Sequence, residues 1–497
     1  METRGRGLLL LPMLVFSITY SLTCLLGAIA LLVDIQPFVD LFEYFSGTRR
    51  APLGGETLIV TLVLLFVAPV VMWVGYVLVV GILGPRAQSQ PETAHRNLPL
   101  WLPYVVFGVF AAVGIVSLLR ASSIGSLGAW LNFNAWVDAR WRTFEVLSFF
   151  EFVNIYLFVP FSAAWIALEV SGTGAKRLAL RWAPAAFAVA LAIPLFQKKA
   201  AVVSLIVIAS AYTLQAAFRG RRMQRVMVMG AVTLFALYFA MVVIPTFNVA
   251  RGAQEQIAQR QPLPSGAATP TAGTTPPPIG SAPPPTGISA PPTGGQRSIS
   301  ALAQATTQVG VVAVYAFLAP ITRTSAPALY YAIVFPAVHP YFGLDLGQDI
   351  VCSPRIGCHG LRMPDDNIVV WNYMNPTVHG GTIAAPFQFV LYSQVALAGA
   401  LIGSFAVGAL LAIAWLWVLR RRGDHVSGPL WATLVILFAI YLAIDSLRNS
   451  TLVSYGLIWP SILVAAITVM RHKRQFSTKL TRGATLSERV GSEVPQL

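Results

Sequence analysis

The sequence predicts an all-α polytopic membrane protein: a helix bundle of about ten spans, with both termini on the cytoplasmic side and one large loop on the opposite side. Three observations predict it. Of 497 residues, 56% are hydrophobic and only 11% are charged, too little charge to coat a soluble protein of this length. Apolar runs long enough to cross a bilayer recur along the chain. The Lys and Arg clusters between those runs fall on alternate connections.

Spans are expected near Leu8–Val33, Thr57–Leu83, Leu98–Leu119, Leu147–Val170, Ala183–Phe196, Ala200–Phe218, Val226–Ile244, Phe387–Leu419, Leu430–Leu447 and Leu452–Met470. The first follows Arg4 and Arg6, and its apolar run is about twice a signal-peptide core with no small-residue cleavage site after it, so we read it as a retained helix. With the N-terminus inside, the inside segments hold Arg86, Arg96, Lys176, Arg177, Arg181, Arg219, Arg221, Arg222, Arg225, Arg420, Arg421, Arg422 and the basic tail 471–497. This placement accounts for much of the net charge of +15 without a nucleic-acid partner. It also favours an even number of spans.

The chain divides into residues 1–246 with seven spans, an outside region 247–386, C-terminal spans within 387–470, and the tail. Gln261–Gln296 has 11 prolines and neither charge nor aromatic ring, so it cannot bury enough surface to order itself and reads as a tether. Residues 301–342 are apolar and aromatic and read as interfacial helices. Two spans joined by a tight turn, giving twelve in all, satisfy the same charge parity. Gly343–Thr382, rich in Gly, Pro, Asp, His and Asn, has the composition of a functional loop. Cys352 and Cys358 lie close together in that oxidising compartment and are expected to form a disulfide. Cys24 lies within a span. No metal site is expected, because no histidine pair has ligand spacing and the only ligand beside the cysteines is His359.

Cations outside the membrane or at membrane depth are costly, and so carry information about function. Lys198 and Lys199 interrupt an apolar run at the outer face; a diphosphate would compensate them, as would snorkelling to lipid phosphates. Arg323 has no acid within twenty residues of sequence, and its planar fork suits a phosphate. Arg140 and Arg142 sit among tryptophans before the fourth span, a pattern that an aromatic belt explains equally well. His379, between Val378 and Gly380, has the chemistry of a proton acceptor, although an ordinary loop histidine reads the same way. Asp34, Asp40 and Glu43 in the first outside loop read as a solvated face. No phosphate-binding glycine loop or nucleophile elbow is present.

These features resemble the O-antigen polymerase (Wzy-type) and oligosaccharide repeat-unit polymerase family. The likeness rests on the paired span around Gln197-Lys198-Lys199, the late outside loop with Arg323-Thr-Ser-Ala-Pro-Ala-Leu-Tyr-Tyr-Ala-Ile-Val-Phe-Pro336, and Gly381-Thr-Ile-Ala-Ala-Pro-Phe-Gln-Phe-Val-Leu-Tyr392 leading into the small-residue stretch Ala396–Ser404. The resemblance implies an inner-membrane glycosyltransferase with a periplasmic site and no metal or other cofactor. Its donor is a glycan on undecaprenyl diphosphate and its acceptor another lipid-linked repeat unit. It further implies His379 as base and Lys198, Lys199, Arg323 and Arg142 around the diphosphate. Arg140, Tyr330, Tyr331 and His339 are further candidate substrate contacts. Membrane lipid, a chain-length regulator and a flippase are the partners it suggests. Two alternatives stay open: an O-antigen ligase, disfavoured by the glycine after His379, and a lipid-linked oligosaccharide flippase or transporter, for which neither an inverted repeat nor charges along several helices stand out.

Overall fold

The computed structural model describes residues 7–36, 39, 53–87, 98–124, 128, 133–170, 174–195, 198–219, 324–343, 366–374, 384–421, 423–447 and 456–471. These residues form helices and no strand. Eight helices are long and apolar enough to cross a membrane: α1 (Leu11–Leu32), α2 (Gly55–Gly84), α3 (Trp101–Arg120), α5 (Phe149–Glu169), α6 (Ala175–Leu195), α7 (Lys198–Phe218), α12 (Ser427–Ile444), and Phe387–Arg420, which contains a break. Shorter helices are α4 (Phe133–Val146), α8 (324–334), α9 (Asp366–Met374) and α13 (Ile458–Arg471). The protein is therefore a multi-pass helical membrane protein. Helices suit these sequences because a lipid-exposed backbone must satisfy its own hydrogen bonds. The expected seventh span, the tether, and Cys352 with Cys358 lie outside the described residues.

Two apolar cores meet at α12. One joins α1, α2, α8, α9 and the Phe387–Arg420 helix; the other joins α3, α5, α6, α7 and α13. Every residue of Val159–Glu169 in α5 is buried, whereas α2 and α3 turn Val70, Val74, Ile82, Val105, Val109 and Val116 outward, as lipid-facing helices do. Close approach rests on small residues. A Cβ on Gly75 would run into the Phe405 carbonyl, and one on Gly408 into the Met72 carbonyl, so α2 crosses the Phe387–Arg420 helix backbone against backbone.

Polar contacts define one end of the bundle. Trp415 Nε1 donates to the Leu8 carbonyl at 2.8 Å and Tyr76 Oη to the Leu9 carbonyl at 2.6 Å. Leu98 N–H donates to Glu169 Oε1 at 3.0 Å, and Arg181 Nε to the Ala167 carbonyl at 2.7 Å. Gln215 Nε2 bridges the Leu168 and His425 carbonyls at 3.1 and 2.8 Å. Arg471 closes this end: Nη1 lies 2.8 and 2.9 Å from the two oxygens of Glu169, and Nε lies 3.3 Å from Asp424 Oδ1. Among the described residues Arg86, Lys176, Arg177, Arg181, Arg219, Arg420, Arg421 and Arg471 belong to this basic end, and Arg120, Arg140, Arg142, Lys198 and Lys199 to the far end. Arg219 and Thr324, the residues flanking the long undescribed stretch, lie toward opposite ends.

Three of the expected spans depart from the sequence expectation. The last, Leu452–Met470, is described from residue 456 and forms the shorter helix Ile458–Arg471. Ala175–Ala192 begins a helix before Ala183 and tolerates Pro184 in its interior. The expected single span Phe387–Leu419 is broken at Val395 and Ala396 into α10 (387–394) and α11 (397–420). Ala396 has φ 61° and ψ −175°, and the chain reverses there. Residues 391 and 403 would be about 18 Å apart in a straight helix, yet a Cβ on Gly403 would lie 2.7 Å from Leu391 Cδ1. Thus α10 runs back alongside α11, and Phe387 reaches Phe16 of α1 edge to face, with centroids 6.2 Å apart.

Candidate functional site

Irregular backbone collects toward the far end. Residues 21–25 of α1 and 63–67 of α2 are π-helical turns. Such turns widen a helix and free carbonyls for other donors, and they are common at functional sites. Here side chains take up those carbonyls. Ser325 Oγ, at the start of α8, donates to the Cys24 carbonyl at 2.8 Å, and Thr324 Oγ1 to that of Thr23. Tyr20 Oη donates to the Leu65 carbonyl at 3.0 Å. Residues 324–343 therefore dock on α1 through specific hydrogen bonds as well as apolar packing.

The reversal at Ala396 is closed by the same segment. The last carbonyls of α10 have no partner within their own helix. Phe342 N–H donates to the Ser393 carbonyl at 3.1 Å and Gly343 N–H to that of Gln394 at 2.8 Å. Gly343 adopts φ +77°, a conformation open to glycine. Tyr341 Oη donates to Tyr392 Oη at 3.1 Å, which donates to the Phe335 carbonyl at 2.7 Å.

At the centre of this assembly lies a buried carboxylate. Asp366 opens α9, where the helix dipole favours an acid. It accepts from Tyr331 Oη at 3.0 Å and Ser393 Oγ at 3.2 Å, and the Tyr331 hydroxyl also lies 2.8 Å from Asn367 Oδ1. Asp366 and Asn367 are each 7% exposed. One polar group therefore joins α8, α9 and α10. Gln388 of α10 is fully buried and faces the Tyr20 hydroxyl, and among the described residues neither of its amide atoms has a partner in hydrogen-bond geometry. An unmet buried amide costs about 1–3 kcal/mol, so this side chain is costly unless a polar group reaches it.

The sequence candidates fall into three sets around this assembly. Tyr330 and Tyr331 are buried within it; Tyr330 packs edge to face on Tyr373 of α9 at 5.9 Å, and the Tyr331 hydroxyl is engaged as above. His339 is half-buried at its rim, between Phe335 and Phe342, with Nδ1 2.7 Å from the Pro340 carbonyl. A second set lies outside the described residues: Arg323 and His379. Their described neighbours belong to the assembly, since Thr324 follows Arg323 and is tied to α1, while Met374 and Ala385, both buried, flank the stretch that carries His379. A third set sits on other elements. Arg140 and Arg142 are on α4, half-buried and exposed respectively. Lys198 and Lys199 open α7, which packs with α5 and α6 in the other core.

Sequence reasoning passed over Asp366, Gln388 and the Glu169–Arg471–Asp424 cluster. Asp366 lies in Pro364-Asp365-Asp366-Asn367 of the loop read as functional, and Gln388 was a lone amide in an apolar run; both were findable as polar residues in apolar surroundings. Among the described residues no group of three or more His, Cys, Asp or Glu is arranged to hold a metal ion. Compared with known proteins, the chain matches no family model, no curated protein and no solved structure.

Proposed function

We propose that the protein polymerises lipid-linked oligosaccharide repeat units at the periplasmic face of a bacterial inner membrane, with N- and C-termini in the cytoplasm. In this reaction a hydroxyl of one repeat unit attacks the anomeric carbon of another. The glycosyl–phosphate bond breaks and undecaprenyl diphosphate leaves. The observation that carries the reading is the buried Asp366–Tyr331–Ser393 group at the far end. It fixes α8 and α9, the two elements that adjoin Arg323 and His379, against α10.

In this reading Arg323 stabilises charge growing on the departing diphosphate, with Lys198, Lys199 and Arg142 as further cations. His379 accepts the proton of the attacking hydroxyl. Asp366 acts as a positioning residue: it sets where the segment from Met374 to Ala384 begins. A chain-length regulator and a flippase would be its partners in the membrane.

The test is polymer formation from purified lipid-linked repeat units by the purified protein. Arg323→Ala should cost about 100-fold or more in rate, the usual loss for one transition-state contact. Asp366→Asn keeps the shape and weakens the hold of Tyr331 and Ser393. It should lower the rate without changing its dependence on pH, whereas His379→Ala should alter that dependence. Absence of polymer with every lipid-linked donor would refute the reading. One observation favours a flippase instead: the helix broken at Ala396 with α10 folded back, since transporters build their sites from discontinuous helices. Movement of lipid-linked units across vesicles without polymer growth would select that function.

A further inference from the structure

A groove of about 310 Å³ opens between α11, α12 and α13. Its walls are apolar and include Leu410, Ala414, Trp417, Trp431, Phe438 and Leu457. Along α11 it runs from Leu410 to Val418, about 12 Å at the helical rise. That is close to the depth of one leaflet, half of a hydrocarbon core of about 30 Å. It starts near the basic end, at the Trp417–Trp431 pair, whose rings meet edge to face at 5.0 Å. Tryptophans at that depth mark the boundary between acyl chains and headgroups.

A cation sits at the mouth. The Arg421 guanidinium lies 4.1 Å from the centre of the Trp417 ring. It forms no ion pair among the described residues. The nearest carboxylate, Asp424, acts on it only at longer range and is engaged elsewhere: it accepts from the N–H groups of Val426 and Ser427 at 3.0 and 3.1 Å and from the Ser427 hydroxyl, and it pairs with Arg471, whose Nε lies 3.3 Å away. The neighbouring Arg420 is exposed. The Trp417 indole N–H has no acceptor among the described residues, so a headgroup oxygen has a donor as well as two positive charges.

We propose that this groove binds one anionic glycerophospholipid of the leaflet at the basic end. One acyl chain fills the groove, and the phosphate meets Arg421, Arg420 and the Trp417 N–H. The size argues for a chain rather than a helix, because a helix is about 10–12 Å across and the cavity is too small to seat one. The charge argues for an anionic head over a zwitterionic one. The proposal is independent of the reaction assigned above, since the groove's lining shares no residue with the Asp366–Tyr331–Ser393 group.

The test is native mass spectrometry of the full chain in detergent with added phosphatidylglycerol, phosphatidylcholine or polyprenyl phosphate. Wild type should retain one phosphatidylglycerol under activation that strips phosphatidylcholine. Arg421→Gln, a change outside the packed core, should weaken that retention about five-fold, the effect of one cation near a lipid head. Ala414→Phe, which fills the groove, should abolish it. If this variant fails to fold, the Arg421→Gln result decides alone. Equal retention of the two phospholipids, unchanged retention in Arg421→Gln, or displacement of phosphatidylglycerol by equimolar polyprenyl phosphate would each overturn the assignment.

Discussion

Replacing Arg471 by methionine would test what closes the basic end of the bundle. Arg471 is 2% exposed, Glu169 3% and Asp424 4%. Methionine fills much of the same space and removes the one guanidinium that reaches both acids among the described residues. Two carboxylates would then be left buried with hydrogen bonds from Leu98 N–H and from the cap of α12, with His425 Nε2 3.9 Å from Glu169 Oε2 and Arg421 acting on Asp424 only at longer range. Breaking a buried pair from one side costs about 3–5 kcal/mol, because the remaining charge is neither solvated nor paired. The expected outcome is that loss in thermal unfolding of the purified protein, with early proteolysis of α13 from its C-terminal end. Salt should change it little, since buried pairs are weakly screened. Neutralising the acids as well, by Glu169→Gln and Asp424→Asn in the Arg471→Met background, should recover most of the stability, because Gln and Asn still accept the backbone hydrogen bonds. If Arg471→Met alone stays within about 1 kcal/mol of wild type, the group does not behave as a buried charge cluster and the reasoning fails.

Two further outcomes follow from backbone geometry. Gly408→Val should destabilise by about 1–3 kcal/mol, since its side chain has to displace the Met72 backbone; Gly81→Val, where a Cβ meets nothing within 4 Å, is the control, and equal melting temperatures for the two would contradict the close crossing. Ala396→Gly should stabilise by about 1 kcal/mol, because relief of about 1–3 kcal/mol of strain at φ 61° outweighs the 0.5–1 kcal/mol that glycine loses in chain entropy; a lower melting temperature would show that the chain does not reverse at Ala396.

Much of the fold was legible because lipid imposes length. Most expected spans with described residues match a helix to within a few positions, since about twenty apolar residues have few other uses. The start of α6 was hidden by its own cations: Lys176, Arg177 and Arg181 read as a loop, yet long basic stems lie along a helix while their heads find partners. Arg181 does so, 4.6 Å above the Tyr212 ring with Nε on the Ala167 carbonyl. The break in Phe387–Arg420 left no signal at all. Neither Pro nor Gly marks it, and the left-handed residue is an alanine, so tertiary contacts from 342 and 343 hold a turn that local preference opposes. Pairing was equally hidden. Glu169 and Arg471 are 302 residues apart, and no periodicity links them. Tyr331 was visible as a polar aromatic in an apolar stretch, while its dependence on Asp366 needed the fold.

The two ends of the bundle meet the same physical demand with different sets of groups. A bilayer has no water to satisfy stray polar groups, so each must find a partner or cost several kcal/mol. At the basic end one arginine shared between two acids ties α5, α13 and the connection before α12 together. At the far end the buried Asp366 carboxylate and the Arg120–Glu151 ion pair stand beside irregular backbone. The carbonyls of two π turns and the last turn of α10 are met by Ser325, Tyr20, Phe342 and Gly343, none of which carries a charge. The same end keeps a buried amide, Gln388, neither atom of which has a partner in hydrogen-bond geometry among the described residues. Under the proposed function the site admits a large amphiphilic substrate, and Gln388 is a polar group at the far end that the fold itself does not use.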